Sequence, residues 1–311
     1  PKSHVYRIIR SGEVRCNKGR CKVDTRLAVG DQIRIPPIRI SERIETNAES
    51  APARTFPVLY EDDDFLAINK PAGVAVHGGS GVSFGVIEQL RRAMPHCTFL
   101  ELVHRLDRET SGILLIAKKK RALTALQGQF KSRETGKVYL TLVKGEWPLN
   151  LKVIDTALAK YTLANGERRV NVVSKDDPNA LPSLSLVKVL KHHAGRNETA
   201  ESPTSLLAVT IKTGRTHQIR VHMKYIGHTL FNDERYGGDK ILKGTTFTKY
   251  KQFIDNCFKT LPRQALHART LGFKHPSTGE FLRFTSEIPE EISSCIEKWR
   301  VYSKAVQIEE D

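Results

Sequence analysis

The fold and the site are decided by residues 104–117, which read His104-Arg105-Leu106-Asp107-Arg108-Glu109-Thr110-Ser111-Gly112-Ile113-Leu114-Leu115-Ile116-Ala117. The first part of this stretch is mostly polar, and its last five residues are continuously apolar. A short apolar run is typical of a buried strand, so the polar residues are predicted to form a loop at the mouth of that strand. Loops held by a rigid scaffold often carry binding and catalytic groups. Asp107, between two arginines, is therefore either a site carboxylate or part of a surface ion-pair network.

Two further polar clusters interrupt regular patterns later in the chain. They are Lys137-Val138-Tyr139 and Arg215-Thr216-His217-Gln218-Ile219-Arg220-Val221-His222. Tyr139 is either a site residue or an ordinary residue of an amphipathic strand. Arg220 is either a site residue or one charge on a solvated helix face, and the pattern alone leaves both alternatives open.

The periodicity of the main part of the chain predicts more strands than helices, without regular alternation between them. The expected strands are 65–69, 113–117, 137–143, 184–190 and 206–211, and the expected helices are 82–94, 119–131 and 216–226. Such an order predicts an α+β fold with a mixed, largely antiparallel central sheet flanked by helices.

The charge of the chain indicates a polyanionic partner. Fifty Lys and Arg residues stand against 34 Asp and Glu residues, which gives a formal net charge of +16. Nucleic acid is the first candidate for such a partner and an anionic membrane is the second. A solubilising charge without a partner is the plainer alternative.

The first forty residues are especially basic, with ten Lys and Arg against three acidic residues, a net charge of +7. Ser3 is predicted to cap a short helix that ends near Gly12, and short strands follow at 14–16 and 31–35, with a turn at 17–19. We expect this helix-and-hairpin module to contact phosphates rather than only solvent. The candidate phosphate-binding residues of the module are Arg7, Arg10, Lys18, Arg20 and Lys22. Residues 41–56 are rich in Ser, Glu, Ala and Pro and are predicted to be a linker to a main domain over 57–311.

Several classes of protein are disfavoured by the sequence. The five cysteines form no C-x-x-C pair and indicate reduced thiols in a cytoplasm-like compartment. No apolar stretch approaches the length of a membrane span, no signal-peptide pattern opens the chain, and no glycine-rich nucleotide loop is present. We therefore expect no metal, no cofactor and no membrane partner. Pro1 in place of an initiator Met indicates that the chain begins inside a longer product.

The stretch 104–117 closely resembles the signature of the RluA family of pseudouridine synthases. The other landmarks of that family follow in the same order: Asn69-Lys70-Pro71-Ala72-Gly73, Lys137-Val138-Tyr139, Gly214-Arg215-Thr216-His217-Gln218-Ile219-Arg220-Val221-His222 and Leu266-His267-Ala268. The resemblance covers about residues 57 to 300. The basic module resembles the alpha-L, S4-like RNA-binding domain without its first helix, and residues 1–10 resemble the RluC branch, whose members modify large-subunit ribosomal RNA.

The resemblance implies a pseudouridine synthase fold and a cofactor-free isomerisation of uridine in large-subunit (23S) ribosomal RNA by a cytoplasmic monomer. The N-glycosidic bond breaks, the uracil turns, and carbon 5 then joins the ribose. Asp107 is implied as the essential carboxylate, paired with Arg220, which favours its ionised form. Tyr139 is implied to stack on the uracil and to take part in the final proton removal. Arg105 is implied to fill the gap that the flipped base leaves in the RNA.

Two other functions remain open at the level of the sequence. A non-catalytic RNA-binding or ribosome-assembly protein needs only the basic surface, although the set of Asp107, Tyr139 and Arg220 argues against it. A nucleoside or glycoside hydrolase needs a pair of carboxylates, which Asp107 and Glu109 provide only if their side chains converge.

Overall fold

A computed structural model describes residues 2–37, 51–79, 84–163, 168–193, 203–241, 248–302 and 305–306. The chain divides into two compact units, Pro1–Ser50 and Ala51–Asp311. Of the predicted linker, residues 41–50 lie outside the described residues. Residues 51–56 belong to the second unit, where Ala51 and Phe56 are buried.

The described residues of the first unit form a helix followed by a small antiparallel sheet. Its elements are α1 (Lys2–Arg10), β1 (Arg15–Cys16), β2 (Gly19–Arg20) and β3 (Ile33–Arg34), with strand order β2-β1-β3. Asn17 and Lys18 both have positive φ angles, which closes the tight hairpin predicted at this point. The helix includes Ser3, since it begins at Lys2. The predicted strand over 31–35 is reduced to two residues, because the Asp31 carboxylate binds Ala28 N and the Asn17 side chain in a turn.

The second unit is built on a large sheet that has twelve strands among the described residues, with strand order β10-β9-β11-β12-β8-β13-β7-β5-β4 along its main path. Its strands are β4 (Val58–Glu61), β5 (Phe65–Lys70), β6 (Glu101–Leu102), β7 (Ser111–Ala117), β8 (Gly136–Lys144), β9 (Val153–Thr162), β10 (Arg168–Val173), β11 (Leu181–His193), β12 (Thr204–Ile211), β13 (Leu266–Lys274), β14 (Phe281–Thr285) and β15 (Ala305–Val306). Its helices are α2 (Val86–Ala93), α3 (Lys120–Ser132), α4 (Gln218–Ile226), α5 (Thr248–Thr260) and α6 (Glu290–Tyr302). Strand β7 is parallel to β13, and the other pairs among the described strands are antiparallel. The predicted mixed, largely antiparallel sheet with flanking helices is therefore confirmed.

Both faces of the central strands are covered, which explains why β5 and β7 consist almost wholly of apolar residues. Leu66 and Leu114 pack in one cluster with Leu90 of α2. Their neighbours along the strands, including Phe65 and Leu115, face the other way and pack in a second cluster with α3. Successive side chains of a strand point to opposite faces, so a strand buried on both sides must be apolar throughout.

Gly112 lets strand β7 approach β13 closely at the exit of the polar loop. Its φ of +116° is disfavoured for other residues, and a Cβ there would overlap the carbonyl oxygen of Ala268. This close approach fixes the position at which the loop 103–110 enters the sheet.

Two predicted helices begin later than their patterns suggested. The helix predicted from residue 82 begins at Val86, after the close packing of Gly85 against the backbone of Ala75 and His77. The helix predicted from residue 216 begins at Gln218, because His217 has a φ of +54° and cannot be part of it. His217 instead stands at the start of the helix with its side chain facing the site.

Candidate active site

Asp107 lies in the loop between β6 and β7, and buried cations hold the peptide groups that follow it. Lys70 Nζ donates to the carbonyl of Arg108 at 3.0 Å, and Arg263 Nη1 donates to the carbonyl of Glu109 at 3.0 Å. Thr110 N also donates to the carbonyl of Asp107 at 3.1 Å. The loop is therefore anchored from both sides, and the Asp107 carboxylate, 27% exposed, faces open space.

Arg220 on α4 makes a hydrogen bond to Asp107, from Nη1 to Oδ2, at 3.1 Å. It also makes a bidentate pair with Asp233, from Nε to Oδ2 at 2.7 Å and from Nη2 to Oδ1 at 2.9 Å. Burial alone would lower the pKa of Arg220, but its bonds to Asp233 and the charge of Asp107 outweigh burial and raise that pKa. The guanidinium is thus a permanent cation shared by two carboxylates.

His217 and Tyr236 form the other side of this carboxylate site. His217 Nε2 lies 3.8 Å from Asp107 Oδ1, and its Nδ1 is 2.8 Å from the hydroxyl of Tyr236. Burial lowers the pKa of His217 to about 4, so the ring is neutral near pH 7. If the Tyr236 hydroxyl donates to Nδ1, the proton of His217 is on Nε2 and points at Asp107.

Tyr139, on β8, borders the same cavity as Asp107 and Arg220. This cavity has a volume of about 90 Å³. It shares lining residues, Arg105 among them, with two larger clefts of about 700 and 620 Å³. Burial, and after it the charge of Asp107, raises the pKa of Tyr139, so its phenol keeps its proton at neutral pH. The three predicted catalytic residues therefore meet at one cavity, and the exposed Arg105 stands at its entrance.

Glu109 does not pair with Asp107 in the manner that a hydrolase needs. Its carboxylate is 3.5 Å from Arg108 Nε and belongs to a partly exposed ion pair at the edge of the loop. The RNA-binding candidates lie elsewhere, on the surface of the first unit, where all of them are exposed: Arg7, Arg10, Lys18, Arg20 and Lys22. Of these, Lys18 borders a cavity of about 470 Å³ together with Arg15 and Arg34.

Three residues of the site were not predicted from the sequence: Lys70 as a loop anchor, Arg263 and Asp233. Lys70 and Arg263 stand in or beside recognisable motifs, whereas Asp233 stands in a polar turn that resembles any surface loop. Within the described part of the chain no group of three or more His, Cys, Asp or Glu residues is placed to hold a metal ion. No helix among the same residues is long and apolar enough to cross a membrane.

Comparison with known proteins relates this site to RNA modification. The family model described as RNA pseudouridylate synthase matches residues 64–225. The chain is 43% identical over 304 residues to ribosomal large subunit pseudouridine synthase C of Escherichia coli (strain K12), covering 96% of this chain and 89% of that protein. It is 44% identical over 301 residues to the protein of the same name from Yersinia pestis, covering 95% and 87%.

A solved structure with a similar fold carries a related name. Human RNA pseudouridylate synthase domain containing 1 superposes with a TM-score of 0.60 at 26% identity, covering 83% of this chain and 91% of that one. The matched family model spans the loop of Asp107, the strand of Tyr139 and the helix of Arg220. The chain belongs to the RNA pseudouridylate synthase family.

Proposed function

We propose that this protein isomerises specific uridines of large-subunit ribosomal RNA to pseudouridine, with Asp107 as its essential carboxylate. The observation that carries the proposal is the arrangement of Asp107, Arg220 and Tyr139 around one cavity, with the carboxylate bonded to a buried guanidinium. The choice of RNA rests on the names of the relatives, which are large-subunit pseudouridine synthases. The names of these relatives, which come from bacteria, also support a location in the cytoplasm.

Asp107 acts at the anomeric carbon of the flipped uridine. Its carboxylate attacks that carbon, stabilises a cation-like sugar, or removes a ribose proton, and all three roles need it ionised and aimed. Arg220 favours the ionised form of Asp107 and fixes its orientation, because it donates to one of its carboxylate oxygens. Asp233 in turn holds the guanidinium in place. His217 faces the other oxygen of Asp107 and adds a neutral donor when it closes the present gap of 3.8 Å.

Tyr139 provides the surface on which the uracil stacks while it turns. Because its pKa is raised, it is a phenol and not a phenolate at neutral pH. In the final step the phenol oxygen takes the proton of carbon 5 only as its own proton passes to another base, and the Asp107 carboxylate, which borders the same cavity, is the base that the site offers. Arg105 is exposed at the mouth of the site and is free to enter the RNA stack in place of the flipped base.

The first unit supplies affinity through its exposed basic residues. Its helix and short hairpin carry Arg7, Arg10, Lys18, Arg20 and Lys22 as exposed residues, which supports the resemblance to an alpha-L RNA-binding module. Phosphate contacts of this kind set the register of an RNA without taking part in bond making.

The proposal is tested by incubating the protein with large-subunit ribosomal RNA that carries labelled uridine. Isomerisation keeps the label in the RNA and converts part of it to pseudouridine, which is the expected result. Hydrolysis releases free uracil, and a binding protein changes nothing, so either of these results contradicts the proposal.

A further inference from the structure

The cleft of about 700 Å³ beside Tyr139 contains a lysine that the catalytic roles do not use. Lys137 is only 8% exposed, yet it borders this cleft together with Tyr139. The two residues are separated by one position on β8, so their side chains leave the same face of the strand about 7 Å apart. Lys137 is therefore a buried cation directed at the space next to the base-stacking residue.

The ammonium group of Lys137 is poorly compensated by the protein. Its Nζ lies over the ring of Phe130, 5.4 Å from the centroid, and among the described residues it forms no ion pair with a carboxylate. Burial, and after it the charge of Arg133, lowers the pKa of Lys137 to about 8. A buried ammonium is costly without a partner, so an anion in the cleft would relieve this cost.

Two other buried lysines show that this arrangement is specific. Lys70 is fully buried, and its ammonium group donates hydrogen bonds to the carbonyl groups of Pro71, Val74 and Arg108. Its donors are therefore satisfied within the protein. Lys144, at the far end of β8, is 6% exposed and its Nζ is enclosed away from this cleft. Lys137 differs from both because its ammonium group is presented to a wide, open space.

The surroundings of Lys137 also favour an anion of the size of a phosphate. The lining of the cleft includes Arg105, Lys131, Arg133 and Arg215, and no Asp or Glu. Gly214 leaves room in front of the ammonium group, since even a Cβ at that position would remain 4.0 Å from Lys137 Nζ. A lysine ammonium is a compact point charge that suits one phosphate oxygen at a time.

We propose that Lys137 binds the backbone phosphate immediately flanking the target uridine of the RNA. The proposal rests on the proposed function, because the RNA must present a flipped uridine to Tyr139. The separation of the two residues corresponds to roughly one nucleotide of extended backbone. Tyr139 borders both this cleft and the cavity of Asp107, so a phosphate held by Lys137 leaves the adjoining nucleotide next to that cavity.

A protein variant combined with neutralised phosphates tests this contact. The probe is a short fragment of large-subunit ribosomal RNA that the wild-type protein modifies, with one methylphosphonate at a time around the target uridine. One flanking methylphosphonate should weaken the Kd for wild type about tenfold, and Lys137→Met should weaken the Kd for natural RNA by a similar factor. The two effects should not add at that linkage, because they remove the same contact.

Matched controls separate the phosphate contact from a general loss of a buried charge. Lys144→Met removes an equally buried lysine of the same strand and should leave the Kd for RNA unchanged. Lys137→Arg should retain the sensitivity to the flanking methylphosphonate, and Lys137→Gln replaces Lys137→Met in the same measurements if the latter does not fold.

The proposal is overturned if the effects of Lys137→Met and of each methylphosphonate are additive at every linkage, or if Lys137→Met binds natural RNA as tightly as wild type. Pseudouridine formation by the wild-type protein on the natural fragment is measured separately. Its absence contradicts the proposed function, whereas additive effects with an active wild type contradict the Lys137 site alone.

Discussion

Arg220 is bound more closely by Asp233 than by Asp107. Two hydrogen bonds of 2.7 and 2.9 Å join its guanidinium to Asp233, and one of 3.1 Å joins it to Asp107. Asp233 is 1% exposed, whereas the Asp107 side chain is 27% exposed. Arg220 is thus a fixed part of the scaffold that reaches out to the site carboxylate.

Replacing Arg220 with Met should therefore affect stability as well as catalysis. The change leaves Asp233 buried and unpaired, and losing one member of such a pair typically costs about 3 to 5 kcal/mol. Adding Asp233→Asn should restore much of the free energy of unfolding, since the buried charge is then gone, but should not restore pseudouridine formation. Urea denaturation and single-turnover rates on the two variants check this, and a stability of Arg220→Met equal to that of wild type would show that the pair is not buried.

Tyr139→Phe should separate stacking from proton removal. The ring of Phe keeps the stacking surface, so the Kd for RNA should remain within about twofold of wild type, since base stacking is worth about 1 to 3 kcal/mol per base. The final proton transfer should become slow, so uridine carrying deuterium at carbon 5 should react more slowly than ordinary uridine with this variant. The isotope effect on pseudouridine formation is the measurement. An isotope effect no larger than that of wild type would exclude Tyr139 from the proton step.

Neutralising Lys18 and Arg20 to Gln in the intact chain should weaken RNA binding mainly at low salt. Each lost phosphate contact should reduce the slope of log Kobs against log salt by about one. Kd values between low and moderate salt measure that slope, and the rate at saturating RNA should be unchanged. Arg300→Gln, which changes an exposed residue of α6 already paired with Glu297, is the control and should leave the slope as it is. Equal slopes for the double variant and wild type would remove the docking role of these residues.

The protein should lose stability as the pH falls from about 6.5 towards 4. Burial lowers the pKa of His193, His222 and His267 to about 4, and all three are fully buried. In this window the unfolded chain binds protons at these residues and the folded chain does not. Stability therefore falls with decreasing pH, by about 1.4 kcal/mol per pH unit for each ring. Urea midpoints at pH 7 and pH 5 check the direction, and an equal or higher midpoint at pH 5 would contradict it.

The sequence predicted the sheet, the strand of residues 113–117 and the loop of Asp107, because these features depend on local patterns. It could not reveal Asp233, since the burial of a turn carboxylate depends on which helix packs over it. The start of α4 was predicted two residues too early, because the residue types of Thr216 and His217 do not indicate the positive φ of His217. Motifs thus indicated the residues of the candidate site, whereas the residues that support them became visible only in three dimensions.

The two residues that anchor the Asp107 loop could not be predicted from the sequence either. Lys70 and Arg263 lie far apart in the chain, and each donates to one of two consecutive carbonyl groups. Their residue types suggest surface charges or RNA contacts. Strand β7 pairs with β13 on one side and with β5 on the other, and only this pairing brings Lys70 and Arg263 to the two sides of one loop.

The proposed mechanism requires the negative charge of Asp107 for the isomerisation. Glu109→Gln is the matched control, because it removes a carboxylate from the same loop at nearly constant shape. It should retain pseudouridine formation if the Glu109 carboxylate belongs only to the ion pair with Arg108.

The most direct measurement compares pseudouridine formation by Asp107→Asn and by wild type on labelled large-subunit ribosomal RNA in a single turnover. We predict that Asp107→Asn has the fold and the Kd for RNA of wild type, and that its rate of pseudouridine formation is lower by about 10²- to 10⁴-fold or more. Formation of pseudouridine by Asp107→Asn at a rate comparable to that of wild type would contradict this mechanism.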